Sequence, residues 1–482
     1  MLAVQLLFWT IYAALSAALL VYGLNHYVLI ALFLRQYRKR QASTQLAPEE
    51  PASWPAVVTQ LPLYNEANVA ERVIRAAAAM DYPGEHTVQV LDDSDDETRA
   101  IVDRTAAELR ASGRRVDVVR RPHRQGFKAG ALNAGLSKTE APLIAIFDSD
   151  FVPPPDFLRN MVPTLLADLK ACLAQARWGH LNAGESWITR ALSVGVDGHF
   201  LVEQPARAWN GLYLNFNGTA GVWRRAAIEA AGGWQDDTLT EDMDLSYRAQ
   251  LAGWTIHYRR DVVAPAELPS TFAALKSQQF RWAKGSMQTA RKLLPRVLAA
   301  PGGWFRKSQS GFHLTNYCIH FAMAAIALLL VPVVLLPPLP AVPWMWSLLA
   351  APILFAALAP SLLYLTGQLT TPGGDWRRCL RNLPGMFVLG FGLSLSNARA
   401  VLEAFSSRRT PFVRTPKRGT ENRRRYRVPR CAWSWLEVAC AGYCLLGLIV
   451  ALSGDRAGLT PFLALYGVGF AVVGIGTLTE RS

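Results

Sequence analysis

The sequence predicts an α/β domain with a mostly parallel sheet, inserted between transmembrane α-helices, and three observations support this prediction. Apolar residues are concentrated in residues 2–34 and again after residue 314. The mixed stretch between them is long enough for a full core and alternates strand-like with helical patterns, as βαβ units do. Carboxylate clusters directly follow two of the predicted strands, where ligands bind in such sheets.

Five apolar segments are long enough to cross a bilayer, which takes about 20 residues. They are residues 2–34, 314–336, 344–366, 432–452 and 459–478.

Residues 380–405 are also apolar but contain Asn382, Asn397, Arg399 and Glu403. If this segment crossed the bilayer, the basic residues 408–430 would lie outside, against the charge rule for membrane topology. We therefore interpret it as an interfacial or re-entrant helix pair.

The net charge of +14 has two interpretations. A nucleic-acid-binding protein would interleave basic and aromatic residues on one face. Here the basic residues collect beside apolar segments, at residues 35–40 and 408–430, as the positive-inside rule describes. We therefore predict an integral protein of a bacterial inner membrane with a cytoplasmic globular part and no nucleic-acid partner.

The six cysteines form no C-x-x-C pair, which disfavours a disulfide framework or zinc site and fits a reducing compartment.

In the globular part the sequence predicts four strands before residue 148, with helices between and after them. The predicted strands cover residues 56–61, 87–91, 115–120 and 142–147. The predicted helices cover residues 65–80, 97–112, 127–136 and 243–250, and an amphipathic helix covers 271–294 with Ser270 as its N-cap.

Two acidic clusters lie at strand ends. Asp148 and Asp150 form a D-x-D turn, and two such carboxylates can share a hard divalent cation that bridges a diphosphate. The alternative is a solvated turn. Asp92 and Asp93 close the preceding long strand and can accept hydrogen bonds from a base or a ribose, or can simply precede a capped helix.

Two further clusters begin or occupy helices. Asp242 follows Thr240 and Glu241 at a helix start, where a carboxylate serves either as a general base or as an acidic first turn. The run from Gln278 to Trp282 lies on the amphipathic helix. Its arginine and tryptophan can clamp a diphosphate and stack on a sugar, or can anchor the helix at a membrane surface.

Together, and in this order, the four clusters resemble family 2 processive glycosyltransferases of the cellulose-synthase and hyaluronan-synthase type. Further phrases are similar to the cellulose-synthase-like branch that includes plant mannan and xyloglucan-backbone synthases and their bacterial relatives. These phrases are residues 60–66 (QLPLYNE), 128–132 (KAGAL), 175–178 (QARW), 215–221 (NFNGTAG) and 412–417 (FVRTPK).

The resemblance implies a GT-A fold, a nucleotide-sugar donor and roles for individual residues. Asp242 would be the catalytic base, and Asp148 and Asp150 would bind Mg²⁺ or Mn²⁺. The donor would contact Asp92, Asp93, Lys128, Asp148, Gln278 and Arg281. The acceptor would contact Asn217, Gly218, Thr219 and Trp282. A gating loop would include Phe412, Arg414, Thr415 and Lys417, with Arg414 departing from the cellulose-synthase pattern.

This resemblance also divides the chain into six predicted segments. These are an N-terminal transmembrane helix and basic stop (1–40), a cytoplasmic GT-A catalytic domain (41–268), amphipathic interface helices (269–312), a transmembrane pair (313–370), interfacial or re-entrant helices with the basic gating-type loop (371–430) and a second transmembrane pair (431–482). The membrane part is smaller than that of cellulose synthase.

The expected activity is inverting transfer of a hexose to a growing β-linked polysaccharide, with UDP-glucose favoured over GDP-mannose as donor. The alternative within enzymes is a single transfer to a membrane lipid. A non-catalytic nucleotide-sugar sensor is disfavoured, because that reading predicts loss of a core acidic or Gln-x-x-Arg-Trp residue and none is missing.

Overall fold

The computed structural model describes residues 2–44, 51–336, 343–406, 417, 419, 433–453 and 457–480. Seven strands form one sheet in the order β3-β2-β1-β4-β6-β5-β7. Their bounds are β1 (Val57–Leu63), β2 (His86–Asp92), β3 (Val116–Val119), β4 (Leu143–Ile146), β5 (Ala171–His180), β6 (Gly221–Arg224) and β7 (Thr255–Ala266).

The sheet is mostly parallel, as predicted. Strands β1 to β4 pair in parallel, β5 pairs in parallel with β7, and β6 alone runs antiparallel to its neighbours β4 and β5. Both faces are covered, because alternate residues of β4 enter different cores. Leu143 and Ala145 belong to one apolar cluster, and Ile144 and Ile146 belong to the other.

Seventeen α-helices occur among the described residues, together with a π-helical turn, His199–Glu203, and a 3-10 turn, Ala457–Leu459. The helices are α1 (Leu2–Thr44), α2 (Ala70–Ala78), α3 (Thr98–Ala111), α4 (Phe127–Leu136), α5 (Phe157–Leu166), α6 (Trp187–Gly198), α7 (Gln204–Trp209), α8 (Arg225–Ala230), α9 (Glu241–Leu251), α10 (Phe272–Ala299), α11 (Trp304–Leu314), α12 (Cys318–Leu335), α13 (Pro343–Leu369), α14 (Trp376–Gly392), α15 (Ser394–Glu403), α16 (Trp433–Leu452) and α17 (Thr460–Thr479).

The predicted helices of the globular domain are present, but some of them begin at other residues than predicted. Helix α4 has the predicted bounds, but the helix expected from residue 65 begins at Ala70. Asn65 has a left-handed φ of 55°, and Val69, directly before the helix, has a non-helical φ of −130°. The predicted N-cap Ser270 is wrong by one residue. Thr271 caps α10, and its hydroxyl oxygen accepts from Ala274 N at 3.2 Å.

Four helices of the described chain are long and apolar enough to cross a membrane. They are Gln5–Arg40 within α1, then Cys318–Leu335, Trp433–Leu452 and Thr460–Thr479. The span predicted at 344–366 falls in α13, Pro343–Leu369, and Leu354–Leu369 is an apolar helix within the part of α13 whose side chains are described.

The segment predicted as a helix pair at 380–405 consists of α14 and α15, which bend by 42° relative to each other. Helix α15 packs against α10 and α12, and α14 packs against α6 and α17. Near the segment boundary predicted at residue 268, β7 ends at Ala266 and α10 begins at Phe272. The division into six segments stays a prediction.

Candidate active site

The carboxyl ends of β1, β2 and β4 open into a cleft. All four clusters singled out in the sequence contribute to its lining. The predicted site residues that line it are Asp93, Lys128, Asp148, Asp150, Asn217, Gly218, Asp242, Gln278, Arg281, Trp282 and Lys417. The fold therefore brings together side chains that are far apart in the sequence.

The two aspartates at the end of β2, Asp92 and Asp93, have different surroundings. Asp93 lines the cleft, and Arg121 Nε donates to its Oδ1 at 3.0 Å. The side chain of Asp92 is fully buried, where it accepts from Arg120 Nε at 2.8 Å and from Ser94 N at 3.1 Å. Asp92 does not line the cleft, so the nucleotide contact predicted for it does not fit this structure. Its hydrogen bonds instead hold the end of β2 against Arg120.

The D-x-D turn after β4 is held by its neighbours. Lys128 Nζ lies 2.5 Å from Asp148 Oδ1 and also donates to the carbonyl of Gly218 at 2.8 Å. Thr219, predicted to face the acceptor, is fully buried and accepts from Asp148 N at 2.9 Å. Thr219 thus lies behind the cleft and positions Asp148. Asp150 forms an ion pair with Lys417.

Two carboxylates fit a divalent cation that takes its other ligands from a diphosphate and water, which is how Mg²⁺ is commonly held. Among the described residues, no group of three or more His, Cys, Asp or Glu side chains could enclose a metal ion by itself. The oxygen donors of Asp148 and Asp150 suit Mg²⁺ or Mn²⁺ in preference to softer metals.

Asp242 is at the second position of α9, in the first turn. Its Oδ1 accepts from Met243 N at 2.8 Å, and Ser246 Oγ donates to its main-chain oxygen at 2.6 Å. Burial, and secondarily the adjacent Glu241, raise the pKa of Asp242 to about 7. A carboxylate with this pKa is suited to take a proton near neutral pH.

Glu241 and Lys128 are charged neighbours of Asp242, and each shifts the pKa of the other. Burial raises the pKa of Glu241, opposed by Lys128, whose Nζ lies 3.8 Å from its Oε1. Burial alone would lower the pKa of Lys128, but Asp148 and Glu241 outweigh burial and raise it. Lys128 therefore stays cationic beside the D-x-D turn. No separate role for Glu241 follows from the sequence, because its burial depends on the fold.

Gly218 sits directly against the candidate base. Its φ is +81°, and a Cβ built on it would lie 2.9 Å from Asp242 Oδ2 and 3.4 Å from Lys128 Nζ. A side chain at this position would therefore be strained and would push into the cleft.

Helix α10 carries Gln278, Arg281 and Trp282 into the cleft. Burial lowers the pKa of Arg281, although Asp148 and Glu241 oppose the shift. The helix approaches the start of α9 closely at Gly285, where an added Cβ would lie 2.5 Å from Thr240 Cγ2. The glycine thus allows the Gln-x-x-Arg-Trp and Thr-Glu-Asp motifs to share one site.

The wall beside Asp93 contains aromatic and cationic side chains to which the sequence analysis gave no role. The guanidinium of Arg124 lies 3.4 Å from the ring centroid of Tyr64 and 5.1 Å from that of Phe127. Tyr64 and Phe127 belong to or adjoin two of the phrases that carried the resemblance, which was the available signal. Trp178, His180 and Glu66 also line the cleft.

Of the predicted gating-loop residues, Phe412, Arg414 and Thr415 lie outside the described residues. Lys417 is described and reaches the cleft, where it pairs with Asp150. Its carbonyl accepts from Asn68 Nδ2 at 3.1 Å, and Gly419 N donates to Glu267 Oε1 at 3.2 Å.

Comparison with known proteins identifies related sequences. A family model described as glycosyltransferase like family 2 matches residues 55–285. The chain is 35% identical over 357 residues to glucomannan 4-beta-mannosyltransferase 2 of Arabidopsis thaliana, which covers 72% of this chain and 65% of that protein. It is 33% identical over 443 residues to glucomannan 4-beta-mannosyltransferase 7 of the same species, which covers 88% of this chain and 77% of that protein.

Among solved structures, the mannosyltransferase PcManGT from Pyrobaculum calidifontis in complex with GDP-Man and Mn²⁺ covers 72% of this chain and 98% of its own, with a TM-score of 0.48 and 20% identity. That likeness is too loose for its ligands to be carried over. The family match and the mostly parallel seven-stranded sheet agree with the GT-A fold that the resemblance implied. The long alignment with the second relative, at 33% identity, means that the chain belongs to glycosyltransferase family 2 and to its cellulose-synthase-like branch.

Proposed function

We propose that the protein transfers mannose, with inversion, from GDP-mannose to a growing β-linked polysaccharide. The curated relatives reported above are both glucomannan 4-beta-mannosyltransferases, which favours a mannosyl donor. The preference for UDP-glucose stated from the sequence is therefore replaced by its alternative, GDP-mannose. The alignment with the first of those relatives covers 65% of that protein, so the donor and product are proposals for this chain.

One observation carries the proposal: Asp93, Asp150, Asp242 and Arg281 line a single cleft. In it, Asp93 would contact the nucleotide, and Gln278 and Arg281 would hold the diphosphate. Asp148 and Asp150 would hold Mg²⁺ or Mn²⁺, which neutralises diphosphate charge when bound. Asn217, Gly218 and Trp282 would meet the acceptor sugar.

The reaction would be one in-line displacement at the anomeric carbon. Asp242 removes the proton from an acceptor hydroxyl, whose oxygen forms a bond to that carbon as the bond to the nucleotide diphosphate breaks. Lys128 and Arg281, two of the cationic side chains that line the cleft, would stabilise the negative charge that develops on the departing diphosphate. A single inversion of an α-linked donor yields a β-linkage.

The proposed location is a plasma membrane, with the cleft on the cytoplasmic side where nucleotide sugars are made. Four candidate spans and the basic residues beside them support this placement.

The test is purified full-length protein in detergent, incubated with radiolabelled GDP-mannose, UDP-glucose and other nucleotide sugars. We expect label from GDP-mannose in a β-linked product of many residues, with transfer lost in excess chelator and restored by Mn²⁺ or Mg²⁺. A single organic-soluble glycolipid would instead support transfer to lipid. Transfer only from UDP-glucose would contradict the donor assignment, and undiminished transfer in chelator would contradict the metal assignment.

A further inference from the structure

A π-helical turn, His199–Glu203, interrupts the path from α6 to α7. Such turns insert an extra residue per turn and are frequent at functional sites. This turn adjoins the cleft, because the ring of Phe200 stacks on Trp178, a cleft-lining residue, with ring centroids 4.9 Å apart. None of the functional assignments above uses the two titratable side chains of the turn, His199 and Glu203.

His199 bridges Glu203 and Asn217. Its Nδ1 lies 2.9 Å from Glu203 Oε2, and its Nε2 lies 3.1 Å from Asn217 Oδ1. The Gln204 amide nitrogen lies 3.0 Å from the same Nε2 and closes the cluster. The imidazole donates to both oxygens only when both ring nitrogens carry a proton, with Nδ1 donating to Glu203 and Nε2 donating to Asn217.

Glu203 is itself fixed. Its Oε1 accepts from Arg207 Nε at 3.3 Å, and Arg207, which is 1% exposed, also donates to the carbonyl of Gln309 at 3.2 Å. Burial would raise the pKa of Glu203, but His199 and Arg207 outweigh burial and hold the pKa well below its usual range. The chain of contacts from α11 through Arg207 and Glu203 therefore holds the imidazole in one orientation.

The Asn217 amide receives its orientation from these groups. Its Oδ1 accepts from Asn215 Nδ2 at 3.3 Å and from Gln204 Nε2 at 3.5 Å, and it accepts from His199 Nε2, 3.1 Å away, when that ring nitrogen carries a proton. Its Nδ2 is buried and has no hydrogen-bond partner. Asn217 lines the cleft immediately before Gly218, the residue that contacts the candidate base. A buried donor without a partner is unfavourable and is relieved when a ligand oxygen accepts from it.

We propose that His199, held by Glu203, is a positioning residue that turns the Asn217 amide so that Nδ2 donates to a hydroxyl of the acceptor sugar. The inference rests on the proposed function, since it names what orients the acceptor side of that same site. It extends that function by making the π-helical turn an element of acceptor selectivity, because a site built around a hydroxyl discriminates against sugars that lack it.

The test measures steady-state transfer to a soluble β-linked manno-oligosaccharide together with hydrolysis of GDP-mannose in the absence of acceptor. For His199→Phe, which keeps a ring but no donor, we expect the acceptor KM to rise about tenfold or more, as loss of a hydrogen bond to a buried group does. The KM for GDP-mannose and the rate of hydrolysis should stay within twofold of the unsubstituted protein. His199→Gln, whose amide can donate to Asn217, should recover most of the loss.

A matched control is His257→Phe, since His257 also pairs with a carboxylate, Asp168, at 2.8 Å but does not line the cleft. It should leave every constant unchanged. If His199→Phe fails to fold, Asn217→Asp provides the second measurement, because it removes the Nδ2 donor and should raise the acceptor KM by a similar factor.

The outcomes separate the inference from the proposed function. Absence of any mannosyl transfer or hydrolysis by the unsubstituted protein would overturn the proposed function itself. With that activity present, a normal acceptor KM in either His199→Phe or Asn217→Asp would overturn the positioning role. An equal fall in hydrolysis and transfer would also overturn it, because a general loss of structure affects both.

Discussion

At the scale of single residues, Asp242 combines burial with a position at a helix start. For Asp242→Asn we expect the rate of transfer to fall by about 10²- to 10⁴-fold, the usual contribution of a general base. Donor binding should be retained, because the amide has nearly the same shape. The measurements are transfer rate and donor affinity by titration, and full activity would remove Asp242 from this role.

The raised pKa of Asp242 predicts how kcat/KM falls as the pH is lowered. With a pKa of about 7, the carboxyl is mostly protonated below neutral pH and cannot accept the acceptor's proton. We therefore expect kcat/KM to rise as the pH increases through about 7, because this parameter reports groups of the free enzyme. The check is a profile from pH 5 to pH 9 (about two pH units either side of that pKa), and a flat response would argue against Asp242 as the base.

Gly218 offers a steric prediction with an internal control. Gly218→Ala places a Cβ 2.9 Å from Asp242 Oδ2 and imposes a strained φ, so transfer should fall at least tenfold. Gly211→Ala imposes the same kind of strain at a φ of +64°, with nothing within 4 Å of the new Cβ. Comparable losses in both variants would attribute the effect to the backbone and not to the base.

At the scale of elements, helix α10 couples the cleft to the membrane helices. Lys276 Nζ lies 2.7 Å from Glu437 Oε2 on α16, and both residues are buried. Lys284 pairs with Glu403 on α15 at 3.3 Å. Because α10 also carries the cleft-lining residues Gln278 and Arg281, these ion pairs fix that wall of the cleft relative to α15 and α16.

Glu437→Gln should destabilise the protein strongly, because it leaves the Lys276 charge buried without its counter-ion, which typically costs about 3–5 kcal/mol. We expect the temperature of thermal denaturation in detergent to fall by several degrees. The control is Glu85→Gln, which removes an ion pair whose side chains are 58% and 62% exposed and should change little. Restoration by the double variant Lys276→Met/Glu437→Leu would confirm the cause.

At the scale of the whole molecule, the charge distribution predicts orientation across the membrane. Leu169 is 79% exposed on the catalytic domain, and Ser453 is exposed at the far end of α16 from the basic residues. In a Cys431→Ser background, Leu169→Cys should react with a membrane-impermeant maleimide only in inverted vesicles, and Ser453→Cys only in intact cells. The reverse pattern would place the cleft outside and exclude a cytoplasmic donor.

Much of the fold was predictable from local patterns. The alternation of strands and helices gave the parallel sheet, because buried strands and amphipathic helices carry different hydrophobic periods. Helix α4 was predicted to the residue. Residues 380–405, predicted as a helix pair because a span there would break the charge rule, form the bent helices α14 and α15. The four motifs identified the candidate site, since their residue types suit a sugar nucleotide.

The sequence by itself thus determined the kind of domain, its place between membrane helices and the residue types of its site. Only the tertiary structure decided which side chains face the cleft. Asp92 and Asp93 are adjacent, yet Asp92, the last residue of β2, is buried against Arg120, whereas Asp93, just beyond the strand, lines the cleft. The raised pKa of Asp242 and the link from Glu203 through His199 to Asn217 likewise depend on burial and on contacts between distant segments, which no local pattern encodes.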